Sequence, residues 1–391
     1  MSLTLSDIAF LQTSAAHDLL AELAQTDLSS KNLLSLVSRL RESHPQEHIH
    51  AALTTAQLRR KAAEKFGNDA NKLFFTDDAL QQASDPLIRA YRTRDYSGLR
   101  ILDVCCGIGT DSIAFARAGA IVHGIDTDET RIAIAKHNAG VLDLDIHFEI
   151  VDATQLSPQG YDLIFFDPAR RDSQGKRLFD VEQYIPPLSL IKQWDAPRIM
   201  VKISPGVDLE QLSTYDADIE FISVNGDLKE AVLHLPGQST LIATRIDEQA
   251  VTSWRNRGNE PDVPLAEPGG WLCEPDPAIL RASLVQHLAE SLNGTMLDKT
   301  IAYFCTPEKL QSDWLRAWKI REWLPFNLKK LRSRLRAMNV GTLTVKKRGS
   351  AITPEELIRK LKLKGDKSAT VILTRYDEHM IAIICDDIAP A

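Results

Sequence analysis

Residues 99–111 read Leu-Arg-Ile-Leu-Asp-Val-Cys-Cys-Gly-Ile-Gly-Thr-Asp. Ile101, Leu102 and Val104 give the short apolar run of a central parallel strand, and the run ends at once in a glycine turn. Gly107 and Gly109 permit a tight turn whose backbone a ligand can approach closely. The pattern then predicts a helix over 111–118, with its positive N-terminus aimed at that ligand. Strand, glycine turn and helix in immediate succession predict a doubly wound α/β sheet.

The strands downstream narrow the ligand. The apolar run 121–125 ends in Asp126, where an acid in such a sheet accepts hydrogen bonds from a ribose diol. The run 148–151 ends in Asp152, which is placed to hold an adenine amino group, and 161–166 runs into Asp167-Pro168-Ala169-Arg170. Four successive strand ends carry acids, which implies a ligand with a nucleoside. A dinucleotide is the alternative, but the G-x-G-x-x-G fingerprint is incomplete, with Ser112 at its sixth position.

Taken in order, D-V-C-C-G-I-G-T-D, G-I-D-T-D, V-D-A and F-F-D-P-A-R resemble the class I S-adenosylmethionine-dependent methyltransferases over about residues 60–235. The resemblance implies a seven-stranded doubly wound sheet. It also implies S-adenosyl-L-methionine as cofactor, bound by Asp103, Cys105, Cys106, Gly107, Gly109, Thr110, Asp126, Thr127, Asp152, Ala153 and Asp167. The D-P-A-R motif is close to the D-P-P-R and N-P-P-Y forms of enzymes that modify bases. The segment from Lys65-Phe66 through Leu73-Phe74-Phe75-Thr76 is similar to the cap-trimethylguanosine synthases, but Ala169 and Arg170 stand where those enzymes carry a stacking aromatic.

Methyl transfer is an in-line displacement, so the protein must hold an acceptor lone pair about 3 Å from the methyl carbon. Asp167, with Pro168 behind it, is the candidate catalytic acid: its carboxylate would accept a hydrogen bond from a base amino group. The plainer reading of Asp167 is a helix N-cap. Methylation at C5 of a pyrimidine needs a cysteine nucleophile, which D-P-A-R and K-I-S-P-G lack. Ribose 2′-O-methyltransferases use a Lys-Asp-Lys-Glu group, and Asp167, Lys202 and Glu230 fall at matching strands, with Lys61 or Lys65 as a fourth member. A simple ion pair is the alternative role for Lys202. Strands are predicted over 198–204, 219–224 and, after the hairpin turn Asn225-Gly226-Asp227, 231–235, with 241–246 as a further edge strand.

The chain has 391 residues, enough for two or three domains, and 44% hydrophobic with 25% charged residues is ordinary for a soluble globular protein. No run of eighteen apolar residues and no charged n-region ahead of an apolar segment predict no membrane span and no signal peptide, hence a cytoplasmic protein. Five scattered cysteines without C-x-x-C spacing predict neither a structural metal nor a disulfide framework. Residues 1–90 read as helices, with Ile8, Leu11, Leu19, Leu20 and Leu23, then Leu33, Leu34, Leu36, Val37 and Leu40 at helical spacing and caps at Ser6-Asp7 and Ser29-Ser30. This region either packs on the sheet or forms a lip of Lys61, Lys65, Phe74 and Phe75 over the site. The expected domains are this helical region, a methyltransferase domain at 91–246, a linker and accessory α+β region at 247–325 and a basic module at 326–391.

Residues 256–270 read as a loop, and Glu274-Pro275-Asp276-Pro277 starts a helix with Ile279, Leu280, Leu284, Leu288 and Leu292 on one face. Residues 301–305 are a candidate strand, and the spacing of Trp314, Trp318 and Trp323 predicts a helix packed on a core, with a base-stacking platform as the alternative. Between residues 327 and 376 stand fourteen Lys and Arg against three acids, in a chain of net charge −7, a sign asymmetry that suits a polyanion. The segment contains a basic amphipathic helix (328–336), a strand (341–348), a helix (354–363) and a hairpin pair (369–374, 380–385). This order with basic loops resembles the THUMP modules appended to RNA-modifying enzymes. It implies an RNA partner, tRNA or rRNA, contacted by Arg170, Arg171, Lys329, Lys330, Lys346, Lys347 and Arg348; a solvated charged face is the alternative. The reading that unites these features is methylation of structured RNA at a base nitrogen. Ribose methylation, a small-molecule methyltransferase and a non-enzymatic RNA-binding protein stand as alternatives.

Overall fold

The computed structural model describes residues 3–172, 174–256 and 258–386. Two compact units divide the chain: one holds residues 1–219, 229–239 and 246–251, the other 220–228, 240–245 and 252–391.

The first unit opens with α1 (Leu5–Leu11), α2 (Ser14–Ala24), α3 (Ser30–Leu40), α4 (Gln46–Phe66), α5 (Asp77–Gln82) and α6 (Pro86–Thr93). The first cap is Thr4 rather than Ser6: its hydroxyl accepts from Asp7 N–H, and the Asp7 carboxylate accepts from Thr4 N–H. Ser29 caps α3 without a side-chain bond. Apart from Leu34, which is exposed, the apolar stripes gather in one core with Phe74 and Phe75, each 1% exposed, and reach Ile108 and Ile134 of the sheet region. The aromatic lip is therefore absent. Lys61 pairs with Asp77, and Lys65 donates to the carbonyls of Leu80 and Ala83. Asn138 fastens this seam, accepting from Phe74 N–H at 2.8 Å and donating to the carbonyls of Phe74 and Ile108.

The larger sheet comprises β1 (Arg100–Val104), β2 (Ile121–Asp126), β3 (His147–Ile150), β4 (Leu163–Phe166), β5 (Ile199–Ile203), β6 (Asp218–Val224), β7 (Asp227–Leu235), β8 (Leu241–Ile246) and β9 (Val251–Arg255). Their order is β3-β2-β1-β4-β5-β7-β6, with β8 and β9 following, so β8 is not the edge strand. Strands β1 to β5 pair in parallel, and β7 runs antiparallel to β5. β4 is buried along its whole length, as its unbroken Leu-Ile-Phe-Phe run demands. Helices α7 (Thr110–Arg117) and α8 (Glu129–Gly140) make the first two crossovers, whereas short 3₁₀ turns stand after β4 and β5.

In the second unit follow β10 (Trp271–Pro275), α9 (Pro277–Arg281), α10 (Val285–Ser291), β11 (Thr295–Met296), β12 (Phe304–Thr306), β13 (Leu315–Pro325), α11 (Leu328–Ala337), β14 (Val340–Lys347), α12 (Pro354–Leu361), β15 (Lys367–Tyr376) and β16 (His379–Cys385). Their sheet has the order β11-β12-β10-β13-β16-β15-β14. Two expectations are corrected here. The helix after Pro277 is two short ones, separated by Ser283 in left-handed backbone. Trp318 and Trp323 lie on the strand β13, with Trp314 just before it, and the segment is not a helix. Its register shifts between Ile320 and Glu322, and that bulge changes the parity of the strand, so Trp318 and Trp323 reach the same core despite their odd spacing. The basic helix, the following strand and helix and the C-terminal hairpin form as expected.

Candidate active site

Between β1 and α7 the chain passes through left-handed backbone at Cys105, Gly107 and Gly109, with φ of 62°, 55° and 80°. A Cβ on Gly109 would stand 3.0 Å from the Phe148 ring and 3.2 Å from Ala135, so this glycine serves close packing of turn against helix. At Gly107 nothing lies within 4 Å of such an atom, which leaves the backbone open to a ligand.

A cavity of about 610 Å³ opens over the C-terminal ends of β1 to β5, within the first unit. Of the residues predicted to bind cofactor, Asp103, Cys105, Cys106, Gly107, Thr110, Asp126, Thr127, Asp152, Ala153 and Asp167 line it; Gly109 does not. Asp126 accepts from Gly107 N–H at 3.0 Å and Asp128 N–H at 2.9 Å, which fixes the carboxylate against the turn. Asp152 accepts from the backbone and then the hydroxyl of Thr154, and both bonds hold its carboxyl below the usual range. Asp103 is buried beneath the turn and bonded by Ser112; burial, then the charge of Asp111, push its carboxyl well above the usual range. Burial likewise pushes the Cys105 and Cys106 thiols up, with Asp126 and Asp103 adding to the effect.

Strand ends β4 and β5 bring Asp167 and Lys202 together. Lys202 Nζ donates to Asp167 Oδ2 at 2.8 Å and to the Gln82 carbonyl at 3.2 Å. Burial alone would lower the ammonium, but the carboxylates of Asp167, Glu230 and Asp111 outweigh it and raise Lys202 above its ordinary value. Its ammonium is thus held between Asp167 and the Gln82 carbonyl. No described helix starts directly at Asp167, so the N-cap reading lapses; Ala169 instead bonds Ile185 in both directions, at 2.9 and 3.0 Å. Pro168 is buried and does not line the cavity.

Sequence reasoning missed the group behind this pair. Arg92, on α6, is 5% exposed, and its guanidinium bonds Asp111 at the start of α7 and both oxygens of Glu230 on β7, Oε2 at 2.8 Å. Ser84 donates to the same carboxylate at 2.9 Å, and the guanidinium lies 4.8 Å from the Phe165 ring centroid. Glu230 is thus hydrogen-bonded by Arg92 and Ser84, and only its charge reaches Lys202. The one local signal was an arginine at helical spacing from Ile88 on the apolar face of α6.

The residues expected to meet RNA are scattered in character. Lys329 and Lys330 are exposed at the start of α11. Lys346 pairs with Glu274 and sits 4.4 Å from the Trp318 ring centroid, and Arg348 lies over Tyr303. Lys347 is exposed and reaches the Ser350 carbonyl at 3.4 Å; in the first unit Arg171 donates to the Gly175 carbonyl and Arg170 is half-buried. No described helix is long and apolar enough to cross a membrane.

Comparison with known proteins identifies relatives. Residues 101–171 match a family described as methyltransferase domain, residues 315–387 one described as THUMP domain-like, and residues 4–62 a domain of unknown function. An uncharacterized S-adenosylmethionine-dependent methyltransferase of Mycobacterium tuberculosis is 33% identical over 348 residues, 85% of this chain and 95% of that protein. The tRNA (uracil(54)-C(5))-methyltransferase of Pyrococcus abyssi is 36% identical over 73 residues, 19% of this chain and 18% of that protein. The crystal structure of a candidate methyltransferase from Porphyromonas gingivalis W83 covers 100% of both chains with a TM-score of 0.76 at 18% identity, a likeness of fold.

Proposed function

The chain belongs to the S-adenosylmethionine-dependent methyltransferases, and from that premise we propose that it methylates a base nitrogen of structured RNA, tRNA or rRNA. S-adenosyl-L-methionine is its cofactor, and when bound it supplies an electrophilic methyl group on a positively charged sulfur. The cavity suits that group: Gly107 leaves open backbone, and Asp126 and Asp152 stand at the ends of β2 and β3, where they would hold the ribose diol and the adenine amino group. Asp103, Cys105, Cys106, Thr110, Thr127 and Ala153 would complete the wall.

The observation that carries the base-nitrogen reading is the half-engaged carboxylate of Asp167. Lys202 fixes Oδ2, while Oδ1 is bonded to no described group and the side chain keeps 24% exposure. An exocyclic amino group donating to Oδ1 would have its lone pair oriented and freed from conjugation as attack proceeds. A ribose hydroxyl needs a base to take its proton, and Lys202 is held cationic with Glu230 committed elsewhere. A pyrimidine carbon needs a thiolate, and the two thiols in the wall are pushed up.

RNA as the substrate class rests on the THUMP-like match, the basic balance of residues 327–376 and the exposed Lys329 and Lys330. Arg170, Arg171, Lys346, Lys347 and Arg348 complete the proposed phosphate-contacting set. The local similarity to a tRNA methyltransferase points the same way.

The test is transfer of labelled methyl to total RNA from cells lacking the protein, with mass-spectrometric identification of the nucleoside. Asp167→Asn is expected to bind cofactor as the wild type does and to lose about 10²-fold or more in transfer, whereas Asp126→Ala loses cofactor binding. A ribose-methylated nucleoside would overturn the choice of acceptor. Cofactor binding without any labelled nucleoside would overturn the choice of RNA.

A further inference from the structure

Away from the cavity, three ligand-type side chains converge on the seam between β2 and β3. The parallel register sets His123 beside His147 and Ile125 beside Glu149, and alternation along β3 sends His147 and Glu149 to the same face. That face is turned away from α7, because a Cβ on the intervening Gly124 would lie 3.1 Å from Ser112 Oγ of that helix. None of the three residues lines the cofactor cavity.

His123 Nε2 lies 3.4 Å from Glu149 Oε2, His147 Nε2 lies 4.0 Å from the same oxygen, and one donor atom of each residue falls within 4.8 Å of the others. A zinc ion bonds imidazole nitrogen and carboxylate oxygen at about 2.0–2.2 Å, so donors around a tetrahedral ion stand about 3.3 Å apart. The first separation already matches. The second needs only a rotation of His147, whose side chain is 70% exposed.

A further contact prepares His123 as a ligand. Its Nδ1 lies 2.6 Å from the Tyr161 hydroxyl, and with Nδ1–H donating there, Nε2 carries the lone pair. That nitrogen is closed to solvent and makes no hydrogen bond.

We propose that His123, His147 and Glu149 form a three-ligand site for a borderline divalent transition metal of the zinc class, with its remaining position open to water. Two imidazoles select against calcium and magnesium, which take oxygen ligands. The cysteine pattern gave no hint of the site, because none of its ligands is a thiol. Bound metal would tie the four-residue edge strand β3, which leads into Asp152, to β2. Metal that binds the folded chain alone also raises its stability by mass action.

The test uses the tag-free full chain, stripped with chelator, titrated with ZnCl₂ by calorimetry and with Co²⁺ by visible absorption. One equivalent of each metal and a higher unfolding temperature with Zn²⁺ are expected. His147→Ala and Glu149→Gln remove exposed side chains, and unchanged unfolding of the stripped variants is the control that each still folds. Each is expected to weaken Zn²⁺ binding by more than about a hundredfold, and Tyr161→Phe by about ten- to a hundredfold. A wild type that takes up no equivalent of Zn²⁺, or variants that bind it as the wild type does, would overturn the site.

Discussion

Replacing Arg92 with methionine removes a side chain that bonds α6 to both the start of α7 and β7. The guanidinium and its two carboxylate partners are all less than a tenth exposed, so their attraction is weakly screened. At an effective dielectric near 20 and about 4 Å, each pair is worth about 4 kcal/mol before desolvation is subtracted. Removing one partner of a buried pair costs about 3–5 kcal/mol, because the other charge is left stranded; we take about 4 kcal/mol for Arg92→Met. For a unit of this size that corresponds to a fall of roughly 8–16 °C in unfolding temperature. Five of the six tryptophans (254, 271, 314, 318 and 323) belong to the second unit, so calorimetry reads the loss better than fluorescence. The loss should also depend on pH. Burial alone would raise the Asp111 carboxyl, but Arg92, then Lys202 and Arg89, outweigh it and hold it below its ordinary value. Its stabilisation in the wild type is therefore present above about pH 4 and lost as pH falls through the folded value. In the variant the main counterion is gone and the folded carboxyl moves above its unfolded value, so the penalty is full at neutral pH and relieved toward pH 4. Adding Glu230→Met removes one stranded carboxylate and should recover part of the loss. A fall of less than about 2 °C at neutral pH, which is under about 1 kcal/mol, or a loss independent of pH, would refute this account of the network.

Gly109→Ala places a Cβ 3.0 Å from Phe148 in backbone at φ 80° and should cost about 2 kcal/mol by calorimetry; a loss under about 0.5 kcal/mol would show that the turn adapts. Cys105 and Cys106, whose thiols are pushed up by burial, should react with a maleimide at pH 8 at least about tenfold more slowly than a free thiol until the protein unfolds. Fast labelling of the native chain would contradict that environment. The double variant Lys329→Glu, Lys330→Glu should weaken RNA binding across sequences and lower the slope of log affinity against log salt by about 1–2. An unchanged slope would remove α11 from the RNA surface.

The residues that were legible share a property: their signals are local. An unbroken apolar run reports a strand buried on both faces, and the acid at its end falls over the cavity because strand direction is common to the parallel set, as at Asp126, Asp152 and Asp167. β13 was read as a helix because a one-residue bulge shifts the parity of a strand and leaves a tryptophan spacing that a helix also satisfies. Ser283 broke a stripe that looked continuous, since a left-handed residue carries no mark in apolar periodicity. The turns after β4 and β5 likewise gave no helical period to find.

The network of Arg92 was illegible for a different reason. Its partner Glu230 lies 138 residues further along the chain, and neither residue carries a pattern that names the other. Once they are together, the charges alternate: Arg92 bonds Asp111 and Glu230, Lys202 bonds Asp167, and Arg89 adds its charge beside Asp111. Of these three carboxylates Asp167 is the most exposed, one of its oxygens is bonded to no described group, and it stands in the cavity wall. Reading Lys202 as a positioning residue accounts for its burial, its raised basicity and its contact with Asp167 together, whereas a proton-accepting lysine accounts only for the contact.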